Sequence, residues 1–256
     1  MVKPVALTIA GFDPTAGAGV LADRAVFSHF GLFSVCATAA LTAQGKDGVI
    51  EIFPVPPGHL SKQLSGIESL LTPDVMKIGM LYSPENVEVV AEFLHRRQII
   101  SVLDPMILSK NGTPLVREEA IPIIKERLFP EASLITPNIP EFKRITGIIP
   151  FSTGWEEKTF EFLKQYKQLS LLLTGGHKKG DPTEFLFHQG KLHTFIGRRV
   201  SGITPHGTGC IISSAIAANL ALDRTLPDAV SIAKGYLEQM LKRVIVRGKI
   251  DYLEIE

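Results

Sequence analysis

The feature that most constrains this chain is an alternation, repeated almost from end to end, of short apolar runs with longer amphipathic stretches. Residues 5–10, 34–40, 75–78, 99–103, 133–135 and 170–173 are rich in small and aliphatic side chains and do not alternate with polar ones. Strands that face water on one side alternate, so unalternated runs belong to parallel strands covered on both faces. Between them, helical spacing runs over 20–30, 58–71, 84–97, 117–129 and 155–169. Ser83-Pro84-Glu85 supplies a capping hydroxyl, a Pro suited to a first turn, and an acid for that turn. Strand–helix–strand units at this spacing predict a doubly wound α/β sheet. Two segments depart from the pattern. Residues 49–55 follow the second strand directly and are expected as a flap or edge strand. Residues 184–187 and 192–196, joined around Gln189-Gly190-Lys191, read as an antiparallel hairpin. Helices over 208–222 and 227–246 close the chain. With no linker, repeat or low-complexity segment, one domain over 1–256 is expected.

Charge and cysteine content exclude several classes of function. Lys and Arg total 27 against 26 Asp and Glu, a net charge of +1, so no global field recruits nucleic acid or an anionic membrane. The longest basic runs are Arg96-Arg97 and Lys178-Lys179. Cys36 and Cys210 are too far apart for a metal motif, and two cysteines make no disulfide framework. The apolar run 5–10 is too short for a signal peptide and lacks a small-residue cleavage site. The stretch 210–222 is broken by Ser213, Ser214 and Asn219, so no membrane span is expected. These features predict a cytoplasmic protein with reduced thiols.

The strongest local signal is His206-Gly207-Thr208-Gly209-Cys210, a Gly-rich turn opening into a helix of small and apolar residues. The first N–H groups of a helix have no internal partners and carry partial positive charge, so an anion is favoured there. Cys210 would sit in that field, which lowers a thiol's pKa and suits it to act as a base. A tight turn over an inert cysteine is the alternative. The first turn, Gly11-Phe12-Asp13-Pro14-Thr15-Ala16-Gly17-Ala18-Gly19, contains a G-x-G-x-x-A match. It lies too far past its strand, and lacks the later acid, to be a dinucleotide fingerprint. It is a small-residue loop at a strand's carboxyl end, where α/β sheets bind ligands, and Asp13 either holds a hydroxyl or caps the turn. Gln44, Met80, Asp104, Met106, Asn138, Glu141 and Thr174 also follow strand-like runs and belong to the same rim. Taken singly, each reads as a cap or loop residue, and Asn138 with Glu141 fits a capping box. Together they give an amide, carboxylates, an anion hole and a thiol, a set suited to phosphoryl transfer. A Walker A sequence is absent, which excludes a P-loop enzyme.

These segments, with Ala22-Asp23, Leu41-Thr42-Ala43-Gln44, Lys77-Ile78-Gly79-Met80, Ile135-Thr136-Pro137-Asn138-Ile139-Pro140-Glu141 and Gly175-Gly176-His177, resemble the bacterial hydroxymethylpyrimidine/phosphomethylpyrimidine kinases of thiamine biosynthesis. The resemblance runs collinearly from about residue 5 to 240 and implies a ribokinase-like fold, a homodimer, and phosphorylation of a hydroxymethylpyrimidine and its monophosphate. It implies that Asp13, Ala18, Gln44, Met80 and Met106 surround the pyrimidine, and that Gln44 matches the aminopyrimidine edge with a donor and an acceptor. It implies that Thr174, Gly176 and His206 meet ATP, and that Asn138, Glu141 and Asp104 hold Mg²⁺ through water. Gly207, Thr208 and Gly209 then form the anion hole and Cys210 takes the hydroxymethyl proton. A monovalent cation is a further implied cofactor.

The chain departs from that family on the nucleotide side. Thr174 stands where a Lys precedes Gly-Gly-His, and Ser201-Gly202-Ile203-Thr204-Pro205 replaces an acidic residue and an Asn-Thr pair. The Gly-rich tail is also missing. Two other readings therefore accompany the kinase: a pyridoxal kinase, and a regulatory protein that keeps the pyrimidine pocket without efficient transfer.

Overall fold

The computed structural model describes residues 2–45, 48–109, 112–175, 181–198, 206–247 and 250–253. Its centre is a nine-stranded sheet. In chain order the strands are β1 (Val5–Phe12), β2 (Phe33–Gly45), β3 (Gly48–Pro54), β4 (Val75–Ile78), β5 (Ile100–Leu103), β6 (Leu134–Ile135), β7 (Ser170–Leu173), β8 (Thr183–His188) and β9 (Lys191–Ile196). They lie in the order β3-β2-β1-β4-β5-β6-β7-β8-β9. The run from β2 through β7 is parallel. Edge strand β3 and the β8–β9 hairpin are antiparallel. The expected mostly parallel sheet, flap strand and hairpin are all present.

The unalternated strands fill two cores by their period of two. Leu7, Ile9, Met76, Ile78, Leu103, Ile135 and Leu171 point to one face. There they meet α2 (Pro57–Leu70), α3 (Pro84–Arg97), α5 (Ile139–Thr146) and α6 (Trp155–Leu163). Ala6, Val75, Val102, Leu134 and Leu172 point to the other, against α1 (Gly19–His29), α7 (Thr208–Ala221) and α8 (Leu226–Leu241). Every residue of α7 from Cys210 to Asn219 is buried, as an apolar-all-round helix requires. Helix α3 begins as expected, with the Ser83 side chain accepting from Asn86 N and Pro84 in the first turn.

Three helices differ from their predicted lengths. The helix expected over 117–129 is a short α4 (Ala120–Ile123) followed by a π-helical turn, Ile124–Leu128. Pro122 offers no N–H and its ring crowds the carbonyl four residues back, so the helix cannot begin earlier. The one expected over 155–169 ends at Leu163, and Tyr166 turns in to pack on Phe129 and Phe162. The one expected over 227–246 ends at Leu241, because Val244-Ile245-Val246 is β-branched and forms β10 (Val244–Arg247) with β11 (Ile250–Leu253).

A polar knot sits inside the second core. Lys77 of β4 and Asp23 of α1 are both 0% exposed. Lys77 Nζ donates to both carboxylate oxygens at 2.9 Å. Thr8 of β1 donates to Asp23 Oδ2 at 2.6 Å and Ser214 of α7 to Oδ1 at 2.7 Å. Four elements thus meet on one carboxylate. Removing one member of such a pair leaves a buried charge uncompensated, so Asp23→Ala is expected to cost ~3–5 kcal/mol. Replacing both charges, by Asp23→Leu with Lys77→Met, should cost less than that single change. Denaturant midpoints check this, and a double variant no more stable than the single would contradict it.

Candidate active site

The carboxyl ends of the parallel strands open into a cavity of about 660 Å³. Every described residue that the resemblance assigns to the site lines it, from Asp13 and Ala18 after β1 to Gly207–Cys210 at the start of α7. Gly176 lies outside the described residues, as do His177, Lys178, Lys179 and the segment 201–205.

At the β1–β2 end the loop after β1 is held by Asp13. Its Oδ1 accepts from Thr15 N at 2.9 Å and Thr15 Oγ1 at 2.8 Å, and its Oδ2 lies 2.9 Å from His206 Nε2. Burial pushes this carboxyl up, but the His206 and Thr15 hydrogen bonds hold it below its ordinary value. Asp13 therefore caps its turn and also ties it to the turn before α7. Two glycines tighten this region, Gly207 at that junction and Gly19 where the loop folds back on the end of β1. A Cβ on Gly207 (φ 84°) would lie 1.7 Å from Gly17 O, and one on Gly19 (φ 63°) would lie 2.2 Å from Gly11 O. Both backbones approach too closely for any side chain. The G-x-G-x-x-A match is thus a packing device.

Gln44 sits beside a register shift in the β2–β3 ladder. Its Nε2 donates to Thr42 Oγ1 at 3.1 Å, which in turn donates to Phe12 O at 2.9 Å. Ala40, Met80 and Leu115 form an apolar wall, with Val49, Ile52 and Met106 packed on it. Met106 has φ 46°, an unusual value for a non-glycine residue and one found at functional sites.

At the centre stands the start of α7. Its N-cap is Gly207, which offers no side chain, so the first amides of the helix are uncapped. Cys210 is 3% exposed beneath them. Burial, with the Asp23 and Asp104 charges, pushes its thiol up to about 12, against the lowering effect of Lys77 and of Gly19 N–H. The expected drop from the helix terminus is outweighed by desolvation. Asp104 and Glu141 are buried nearby. Burial raises Asp104 to about 6, with Asp23 adding, while Lys77, Ser213 and the Met106 amide pull it back. Burial and the Asp104 charge raise Glu141 to about 7, against main-chain hydrogen bonds from Asn138, Ile107 and Leu108.

Asn138 and Glu141 do form the capping box: Glu141 N donates to Asn138 Oδ1 and Asn138 N to Glu141 Oε2, each at 3.0 Å. Glu141 Oε1 also accepts from Ile107 N at 2.9 Å, so this cap reaches the β5 side of the cavity. Thr174 N bonds Pro137 O at 3.0 Å, and the Thr174 hydroxyl lies over the same carbonyl. Lys77, Thr136 and Lys234 are among the lining groups given no role from the sequence. Lys77 was signalled by a lysine within an otherwise apolar strand. Thr136 Oγ1 is buried without a partner among the described residues. Lys234 of α8, ion-paired with Glu184 of β8, is brought in by tertiary packing and left no sequence signal.

Comparisons with known proteins establish the family and the fold. The family model described as phosphomethylpyrimidine kinase matches residues 13–252. A hydroxymethylpyrimidine/phosphomethylpyrimidine kinase of Aquifex aeolicus is 37% identical over 254 residues, 96% of this chain and 97% of that protein. The thiamine biosynthesis bifunctional protein ThiED of Geobacter sulfurreducens is 38% identical over 242 residues, 92% of this chain, which spans only 49% of that longer protein. The crystal structure of a phosphomethylpyrimidine kinase from Clostridium difficile 630 superposes with a TM-score of 0.81 at 32% identity, covering 93% of this chain and 99% of that one. A pyridoxal kinase from Staphylococcus aureus in complex with ADP reaches 0.89 over 99% of this chain and 94% of that one, but at 23% identity it speaks for the ribokinase-like fold alone. This chain belongs to the phosphomethylpyrimidine kinase family.

Proposed function

We propose that this protein is a kinase that transfers the γ-phosphoryl group of ATP to 4-amino-5-hydroxymethyl-2-methylpyrimidine, and then to its monophosphate, in thiamine biosynthesis. One observation carries the reading beyond family membership: a single cavity holds the Gln44 amide, an apolar wall, and the uncapped amides of α7. The amide presents donor and acceptor to an aminopyrimidine edge. The α7 amides stabilise charge on the transferring group. Cys210 orients the hydroxymethyl group and takes its proton, and Asp13, through His206, holds the acceptor loop against the anion turn. One ribokinase-like domain over 1–256 performs both steps in the cytoplasm, where ATP and reduced thiols are found.

The donor set suits Mg²⁺. Asp104 and Glu141 are buried carboxylates whose raised pKa values mark an anionic pair that a divalent cation would relieve. Both Glu141 oxygens already accept main-chain amides, so Asp104, Asn138 and Glu141 would hold the ion through water. Bound there, it would neutralise phosphate charge.

A homodimer is part of the proposal. Edge strand β3 ends the sheet, and Leu41 and Phe53, paired across β2 and β3, are exposed together with Ile50. An apolar unpaired edge is a surface that a second copy would cover. Light scattering should find a dimer, converted to a monomer by Leu41→Lys with Phe53→Lys; a wild-type monomer would refute the placement.

A coupled ADP-release assay tests the activity. Turnover is expected with the pyrimidine alcohol, much less with pyridoxal, and none without acceptor or without Mg²⁺. Turnover with pyridoxal alone would favour the pyridoxal kinase reading, and none with either acceptor the regulatory one. The acceptor site is tested through Gln44→Leu, which leaves the pyrimidine's polar edge unpaired at ~1–3 kcal/mol, roughly 5- to 150-fold in affinity. Unchanged affinity by calorimetry would remove Gln44 from the site.

A further inference from the structure

Lys77 is a charged side chain lining the reaction cavity with no role in the scheme above. It is wholly buried, and both its bonds among the described residues go to Asp23, so one of its three ammonium donors has no partner there. Its place is fixed from three sides. β4 ends one residue later, Asp23 grips the ammonium, and a Cβ on Gly79 would come within 2.9 Å of Nζ. Asp23 in turn receives Ser214, which stands one helical turn after Cys210 on α7. Residues four apart share a helix face, so the thiol lies one turn along the surface that packs on the Asp23–Lys77 pair.

We propose that Lys77 is a positioning residue for the transfer step, a fixed buried cation that stabilises negative charge on the sulfur of Cys210. The inference rests on the kinase reading. In that step the acceptor oxygen bonds to the γ-phosphorus, and the bond from phosphorus to ADP breaks with its electron pair leaving on ADP. The hydroxyl proton passes to Cys210 in its ionised form, the minor form of a thiol that burial raises to about 12, so a group that favours this form speeds the step. A thiolate at this depth needs a counter-charge. The charged groups facing it are Asp23 from α1 and Asp104 after β5, both unfavourable, and Lys77 from β4, with the Gly19 amide. Lys77 is the one cationic side chain among these described residues. Asp23 and its neighbours keep it charged: burial opposes the charge, but the carboxylate beside it raises its pKa well above that of ordinary lysine.

The test reads the thiol directly. In a Cys36→Ser background Cys210 is the sole thiol, and its alkylation by iodoacetamide is followed from pH 7 to 10. Lys77→Met should slow alkylation at pH 9 by ~10-fold, the equivalent of one pKa unit. Lys77→Arg should restore it. Loss of stability alone would speed alkylation by exposing the thiol, so a slower rate is specific to the charge. Circular dichroism verifies folding, and Lys77→Gln, which can still donate to Asp23, replaces the Met variant if that one does not fold. In the ADP-release assay kcat should fall and recover with the same variants while the pyrimidine KM holds. A neutral variant whose alkylation profile overlays the parent overturns the proposal, as does one that slows alkylation but keeps kcat. If the parent shows no turnover with the pyrimidine, the kinase reading fails instead, while the thiol rates still report on the Lys77 charge.

Discussion

The Asp23 carboxylate organises this molecule. It accepts from Lys77, Thr8 and Ser214, which belong to β4, β1 and α7, while Asp23 itself belongs to α1. Burying such a cluster gains little net stability over an apolar core of equal volume. Its consequence is register. A one-residue slip of β4 would turn Lys77 into the opposite core, away from the Asp23 carboxylate it pairs with. The knot therefore fixes which face of β1 and β4 meets α1 and α7. That choice sets where the amides of α7 emerge at the rim.

The rim is then tightened by contacts that exclude side chains. Gly207 against Gly17 brings the turn before α7 onto the loop after β1, and Gly19 against Gly11 folds that loop back onto the end of β1. Asp13 and His206 bridge the same loops with a polar bond. The loop after β1 and the turn before α7 are thus one unit. This is the pre-organisation that phosphoryl transfer demands, since positioning and charge neutralisation supply most of its catalysis.

The outcome at individual residues shows what a single sequence carries. The strands β4 and β7 and helix α3 were legible to the residue, because their patterns are local and bounded by Asp, Ser-Pro or Thr-Gly signals. The convergence of Asp13, Gln44, Asp104, Asn138 and Cys210 was legible because parallel strands present their carboxyl ends to one rim. What was not legible depends on depth. The helix-terminus argument for a low Cys210 pKa was sound locally but lost to burial, which only the packed α1, β4 and β5 create. The Lys234–Glu184 pair spans 50 residues and follows no motif. The β10–β11 hairpin was hidden because its residues continued a helical apolar pattern, and β-branching decided between the two.

Asn138 and Glu141 posed a choice between a helix cap and a cation site, and the geometry makes the choice unnecessary. A capping box fixes the Glu141 carboxylate through Asn138 N, and Ile107 N fixes it again from the β5 side. Those amides stabilise the ionised form, while burial and Asp104 oppose it, leaving Glu141 poised at about 7. A carboxylate held in one rotamer by its backbone partners is a better place for a hydrated cation than a mobile one, because no side-chain entropy is lost on binding. The cap is therefore the device that would pre-organise the cation site. Breaking it through Asn138 should harm both helix α5 and any ion held beside Asp104, by the same physical cause.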